Sequence, residues 1–94
     1  MLRRDAVLTI DSGGTIPVRP HARGRNDVAR LILELMGHFP LLRLEPGHIN
    51  GRPGIVLRSS GRVVGVLNAV RRGGAAQELW IVVNPEKLRH WDAL

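Results

Sequence analysis

The residues in this chain with the most chemistry to offer are four histidines, one small polar turn around Asp11, and two tryptophans. The histidines are His21, His38, His48 and His90, and they show neither an i, i+4 pair nor a two-histidine-plus-carboxylate spacing. Cysteine is absent, which removes thiolate ligands and disulfides together. No metal and no cofactor is expected. Asp11, His48 and Asn68 would form an acid–base group if a sheet-lined pocket gathered them, since proton transfer needs a carboxylate or imidazole within reach of its substrate. Nothing in their spacing requires it, and ordinary turn and strand-edge roles account for all three, so no catalytic residue is assigned. Trp80 and Trp91 could offer flat faces for stacking on bases, but Trp80 stands in the densest apolar run of the chain and is expected in the core. If there is a pocket, His48, Asn68 and Trp80 are the residues expected to line it.

Two polar segments stand out against this background. Asp11-Ser12-Gly13-Gly14-Thr15 closes a strand with two adjacent glycines, which tolerate positive φ, and with Asp and Ser side chains able to bond the following amides. A phosphate loop would need a longer glycine spacing, a lysine and a helix after it, so the segment reads as a tight turn. Asn84-Pro85-Glu86-Lys87-Leu88 is a helix start: Asn84 caps, Pro85 suits the first helical position, and Glu86 meets the positive end of the helix dipole. Leu88 and Trp91, three apart, share one face of that helix, and the face must dock on something.

These segments are positioned by strands and one helix. Residues 5–10 alternate, with Ala6, Leu8 and Ile10 on one face and Val7 and Thr9 on the other. Residues 16–20 are extended because of their two prolines. A helix follows, with Asn26 as its expected cap, Val28, Leu31, Ile32 and Leu35 on its apolar face, Arg30 and Glu34 paired outside, and Gly37 as its left-handed stop. Residues 41–50 predict a strand broken or bulged at Pro46-Gly47. Strands over 55–58, 62–70 and 77–83 complete a meander of hairpins, with Gly65 marking a bulge or a close approach. The fold class is α+β, a curved antiparallel sheet with one main helix. One helix, about 10–12 Å wide, cannot cover both faces of four or five strands spaced about 4.8 Å apart. A second subunit or another domain is expected to supply the missing cover, and a two-fold homodimer is the simplest form of it.

At 94 residues the chain makes one domain, and its 44% hydrophobic and 23% charged content is that of a folded protein. No apolar run approaches the ~20 residues of a membrane span, and the first residues lack a signal-peptide core, so a cytoplasmic protein is expected. The net charge of +6 raises the question of nucleic acid. Thirteen arginines and a single lysine produce it, dispersed along the chain except at residues 19–25 and 71–72. Such scatter predicts a solvated basic surface, and direct nucleic-acid binding is not expected.

Three stretches carry a resemblance. Ile49-Asn50-Gly51-Arg52-Pro53-Gly54-Ile55-Val56-Leu57-Arg58, Gly61-Arg62-Val63-Val64-Gly65-Val66-Leu67, and above all Leu79-Trp80-Ile81-Val82-Val83-Asn84-Pro85-Glu86-Lys87-Leu88 resemble the C-terminal extension of sigma-J-like extracytoplasmic-function sigma factors. In that family a SnoaL-like domain follows the two sigma domains and carries an Asp-Gly-Gly-Gly turn and an Asn-Pro-Asp-Lys-Leu segment that contact the linker between them. Here they correspond to Asp11-Ser12-Gly13-Gly14, departing at Ser12, and to Asn84-Pro85-Glu86-Lys87-Leu88, departing only by Glu86.

The resemblance implies a nuclear-transport-factor-type cone lacking its N-terminal helices, in a single SnoaL-like domain over residues 1–94 that is truncated on its N-terminal side. It implies a regulatory partner-binding role toward sigma-factor core domains or an RNA polymerase-associated segment, without promoter binding of its own. Asp11, Ser12, Gly13, Gly14, Asn84, Pro85, Glu86, Lys87 and Leu88 would form the contact, with Asp11 and Lys87 offering opposite charges and the turn amides donating to the partner. The alternative that the family allows is a small-molecule-binding protein or an isomerase- or cyclase-type enzyme.

Overall fold

Three two-residue turns set the register of the larger part of the sheet in this computed structural model, which describes residues 1–89. Asn50-Gly51, Ser60-Gly61 and Gly73-Gly74 all hold positive φ at both positions, the conformation whose twist matches antiparallel strands. They link β3 (Leu42–Ile49), β4 (Arg52–Ser59), β5 (Arg62–Arg72) and β6 (Ala75–Val82) into a meander. Ahead of it come β1 (Leu2–Asp11), the short β2 (His21–Arg23) and α1 (Arg25–Met36), and after it a single turn of helix, α2 (Pro85–Leu88). The six strands form one sheet in the order β2-β1-β6-β5-β4-β3. His90 and Trp91, and with them the shared face expected for Leu88 and Trp91, lie outside the described residues.

The fold is α+β with one main helix, but the sheet is mixed where a wholly antiparallel one is expected from sequence. β1 pairs β6 in parallel, from Val7 opposite Glu78 to Asp11 opposite Val82. Alternation reveals which face of a strand is buried and says nothing about direction. Parallel neighbours need a long connection, and here residues 12–74 provide it.

Register divides the sheet into two faces. On one, Ala6, Leu8 and Ile10 of β1 stand beside Leu79 and Ile81 of β6, and Val28, Leu31 and Leu35 of α1 pack with them into the core. On the other, Ile49, Val56 and Val66 are buried without a helix over them. Val56 stands between Glu45 and Val66 in register, and the Glu45–Arg58 ion pair, 2.7 Å, spans the same face. α1 packs mainly on β1 and β2 and reaches Leu79 and Ile81 of β6, which leaves the far strands largely without helical cover.

Several local expectations change. Trp80 is on the face opposite α1 and is 39% exposed, because Leu79 and Ile81 on either side take the core-facing positions. Helix α1 begins at a Gly24 cap with no side-chain bond, two residues before Asn26. The Gly24 N–H is committed to Ala6 O at 2.7 Å, so the β1–β2 pairing feeds the chain directly into the helix. Gly37 stays right-handed at φ −63, and Leu41, at φ 52, makes the reversal instead. Arg30 and Glu34 form no ion pair; Asp27 in the first turn binds Arg19 through two bonds of 3.1 and 3.3 Å.

Strand β3 runs unbroken through Pro46 and Gly47, opposite Ile55 and Gly54. It is an edge strand, where a residue without an N–H is tolerated, and a Cβ on Gly47 would sit 2.8 Å from Val56 Cγ2. The register slip falls in β5 instead, beside Gly65, where Val64 has no partner between Leu57 opposite Gly65 and Arg58 opposite Val63. A Cβ on Gly65 would lie 2.7 Å from Val83 Cγ1 and 2.9 Å from Val82 O. Replacing it by alanine forces backbone apart. Gly65→Ala is therefore expected to destabilise the fold by about 1–3 kcal/mol, read as a lower midpoint in urea denaturation at unchanged slope.

Candidate functional site

The two polar segments singled out from sequence meet at one end of the sheet. The parallel β1–β6 pair ends with both strands side by side, and Val83 N–H donates to Asp11 O at 2.8 Å. From there β1 turns away through residues 12–15 and β6 runs into α2. Asp11 is the hub of the junction. Its Oδ1 accepts from Gly13 N–H at 3.1 Å and from Asn84 Nδ2 at 3.3 Å, while its Oδ2 pairs with Lys87 Nζ at 2.5 Å.

Each neighbour then has a second task. Asn84 caps α2 as its sequence predicts, with Oδ1 accepting Glu86 N–H at 3.1 Å and Pro85 at the first helical position. Gly13 holds φ +63, and a Cβ there would lie 2.7 Å from Asn84, so the turn and the cap are in contact. Ser12 Oγ accepts from Gly14 N–H at 3.2 Å, and Ser12 O accepts from Thr15 N–H. Glu86 pairs with Arg89 at 3.1 Å, one turn along.

This arrangement corrects part of the expected chemistry. Asp11 and Lys87 spend their charges on each other, and the amides of Gly13, Gly14 and Thr15 are satisfied inside the turn, as Asp and Ser in such turns generally arrange. What the junction presents outward is shape: the exposed Gly13, Gly14, Thr15, Pro85 and Glu86. Beside it lies a largely apolar groove lined by Ile16, Phe39, Val63, Val64 and Leu88, with Arg62 and Arg89 also in its walls. Leu88 thus has its docking partners within the chain. The groove was not foreseen, because its members come from four separate segments and only Leu88 carries a helical signal.

The proposed acid–base residues do not converge. Asp11 is engaged at the junction, Asn68 lies mid-sheet opposite Trp80, and His48 is exposed on the edge strand opposite Pro53. Asn68 and Trp80 do share a shallow concavity with Asn50, Arg52 and Val70, and His48 is not part of it. Among the described residues no group of histidines, carboxylates or cysteines is placed to hold a metal.

The Lys87 hydrogen bond holds the Asp11 carboxyl below its ordinary 3.8; partial burial opposes this, and the Asn84 and Gly13 bonds reinforce it. A depressed carboxylate stabilises the folded state above its unfolded pKa, and that contribution disappears as pH falls through the folded value. The junction should therefore loosen on acidification from about pH 4 downward. In a carboxyl NMR titration, Lys87→Met should move the Asp11 midpoint up toward 3.8; a midpoint unaffected by the change would separate the two residues in solution.

No protein-family model matches the chain, and no curated protein matches it. No helix among the described residues is long and apolar enough to cross a membrane. A solved structure is similar: the crystal structure of Mycobacterium tuberculosis extracytoplasmic function sigma factor SigJ, at 25% sequence identity and a TM-score of 0.68, with 94% of this chain and 36% of that chain covered. The chain thus spans little more than a third of the length of the sigma factor whose structure it resembles.

Proposed function

We propose that this chain is a regulatory interaction domain of a sigma-factor type transcription initiation protein, a SnoaL-like module that modulates a sigma core in cis or in trans in the cytoplasm, with no promoter binding on its own. The carrying observation is the junction. Two segments separated by the whole sheet are tied into one hydrogen-bonded unit through Asp11, Asn84 and Lys87, beside a largely apolar groove, in a chain similar to a sigma-factor structure. A locked turn and helix start present a fixed surface, which lowers the ordering cost of binding. The partner segment suited to it is an extended linker of the sigma core that places an apolar side chain between Phe39, Val64 and Leu88. Glu86 stands at the rim.

A nuclear-transport-factor-type cone without its first helices is the architecture this reading assumes, and the strands beyond α1 are bare accordingly. The bare face around Trp80 and Val70 is where a two-fold dimer would form. Light scattering on the purified chain should then give twice the monomer mass, reverting to one with Trp80→Lys. A second reading, small-molecule binding, is favoured by one feature: a concavity on the α1 side lined by Leu2, Ile55, Leu67, Ala76 and Leu79. It is mostly apolar, with Arg52 and Arg71 also in its lining, and contains none of Asp11, His48 and Asn68.

Glu86→Lys reverses the charge of the exposed rim without touching the bonds to Asp11, and Leu88→Glu puts a charge into the groove. In a binding assay against a two-domain sigma core, both should weaken capture at least tenfold while thermal unfolding of Glu86→Lys stays within a degree or two of wild type. Equal capture by all three proteins would remove the junction from the interface.

A further inference from the structure

The arginines that look scattered in the sequence are gathered by the fold. β1 and β6 begin, and β5 ends, at the end of the sheet opposite the Asp11 junction; β2 stops at Arg23, opposite Val7 midway along β1, and the chain then enters α1, with Arg25 reaching back to Leu2 O at that end. Arg4, Arg23, Arg25 and Arg30 line one cleft there, with Gly24, Asn26 and Asp27 as its remaining walls. Arg71 and Arg72 project from the end of β5 at the same edge, and Arg3 links the two groups through its Nη1 contact with Arg72 O, 3.5 Å. All six are exposed. The nearby carboxylates make their ion pairs with other cations, Asp5 with Arg3 at 3.2 Å and Asp27 with Arg19 at 3.1 Å, although the charge of Arg30 also acts on Asp27. Arg25 Nε donates to Leu2 O at 2.9 Å, which fixes its guanidinium at the rim.

We propose that this arginine edge binds the phosphate backbone of nucleic acid, the juxtaposition being Arg4, Arg23, Arg25 and Arg30 around one cleft with Arg71 and Arg72 beside it. Guanidinium groups bond phosphate oxygens bidentately and stay charged at any working pH. Their exposed like charges repel until an external polyanion screens them. The cleft has no apolar side chain in its lining, whereas a peptide partner draws most of its energy from buried apolar or aromatic anchors; a sugar–phosphate chain needs none. Recognition is by backbone charge, without base readout. This surface is at the opposite end of the sheet from the Asp11 junction, and its assignment is independent of the docking reading given above.

Fluorescence anisotropy with labelled 20-nucleotide single-stranded and duplex DNA, from 50 to 200 mM KCl, tests the proposal. Three or four phosphate contacts predict a slope of log affinity against log salt of about −3 on duplex, hence a loss of about sixty-fold across that range. Arg23→Gln and Arg43→Gln remove equal charge from exposed positions on the two edge strands. Arg23→Gln should lower the slope by about 1 and the affinity at 0.1 M salt about eightfold, and Arg71→Gln with Arg72→Gln should lower both further, while Arg43→Gln leaves them unchanged. Preference for one DNA form identifies its geometry, and either form binding through these arginines supports the proposal. Binding without salt dependence, equal effects of Arg23→Gln and Arg43→Gln, or displacement of DNA by polyglutamate at matched charge would overturn it, the last by identifying an acidic peptide as the occupant. Circular dichroism of each variant confirms that the sheet is intact.

Discussion

The parallel ladder between β1 and β6 is the constraint on which the molecule depends. It joins the first strand to the last in the centre of the sheet, and every longer-range arrangement follows from its direction. Had β6 run the other way, Asn84 would leave the sheet at the far edge from Asp11, and the carboxylate would have no cap and no lysine to meet. Because the two strands run together, Asp11 and Val82 finish in register. One carboxylate then fastens a turn, a cap and a lysine. The stabilisation from a half-exposed pair of this kind is small in solution, so the role of these bonds is to fix geometry rather than to hold the fold together. The fold rests on the apolar rows behind them, where α1 closes over Ala6, Leu8, Leu79 and Ile81.

Much of this was legible from residue types. The alternation of Ala6, Leu8 and Ile10, the helical spacing of Val28, Leu31 and Leu35, the glycine turns of the meander, the close approach at Gly65 and the Asn84 cap all correspond to what the structure contains. Local chemistry dictates each of them. The misread features depend on neighbours distant in sequence. Trp80 sits in an apolar run whose even and odd members face different ways, and composition alone cannot say which face receives the helix. Pro46 reads as a breaker until the strand is known to be at an edge. The three-residue β2 has no signal of its own, since its pairing with β1 is what makes it a strand.

The candidate surfaces show the same division. Asp11 and Lys87 were identifiable as special from the segments they belong to, but their mutual pairing required the parallel register. The two local arginine clusters of the sequence, at residues 19–25 and 71–72, did not suggest a shared surface, yet three strands and α1 bring Arg23, Arg25, Arg71 and Arg72 together with Arg4 and Arg30 on one part of the molecule. The two ends of the sheet differ accordingly. One is neutralised internally and presents a rigid shape beside a largely apolar groove; the other carries more arginines than it has carboxylates to match them.

The outermost strands carry a further consequence for how copies of this chain can meet. An open sheet polymerises when a partner strand continues its ladder at an unprotected edge. Here one edge is β2, only three residues long, and the other is β3, whose eight residues include Pro46, which has no backbone N–H to donate. The brevity of β2 and the N–H missing at Pro46 both weaken the ladder that an edge offers to another strand, which favours the uncovered apolar face over the edges as the place where copies meet.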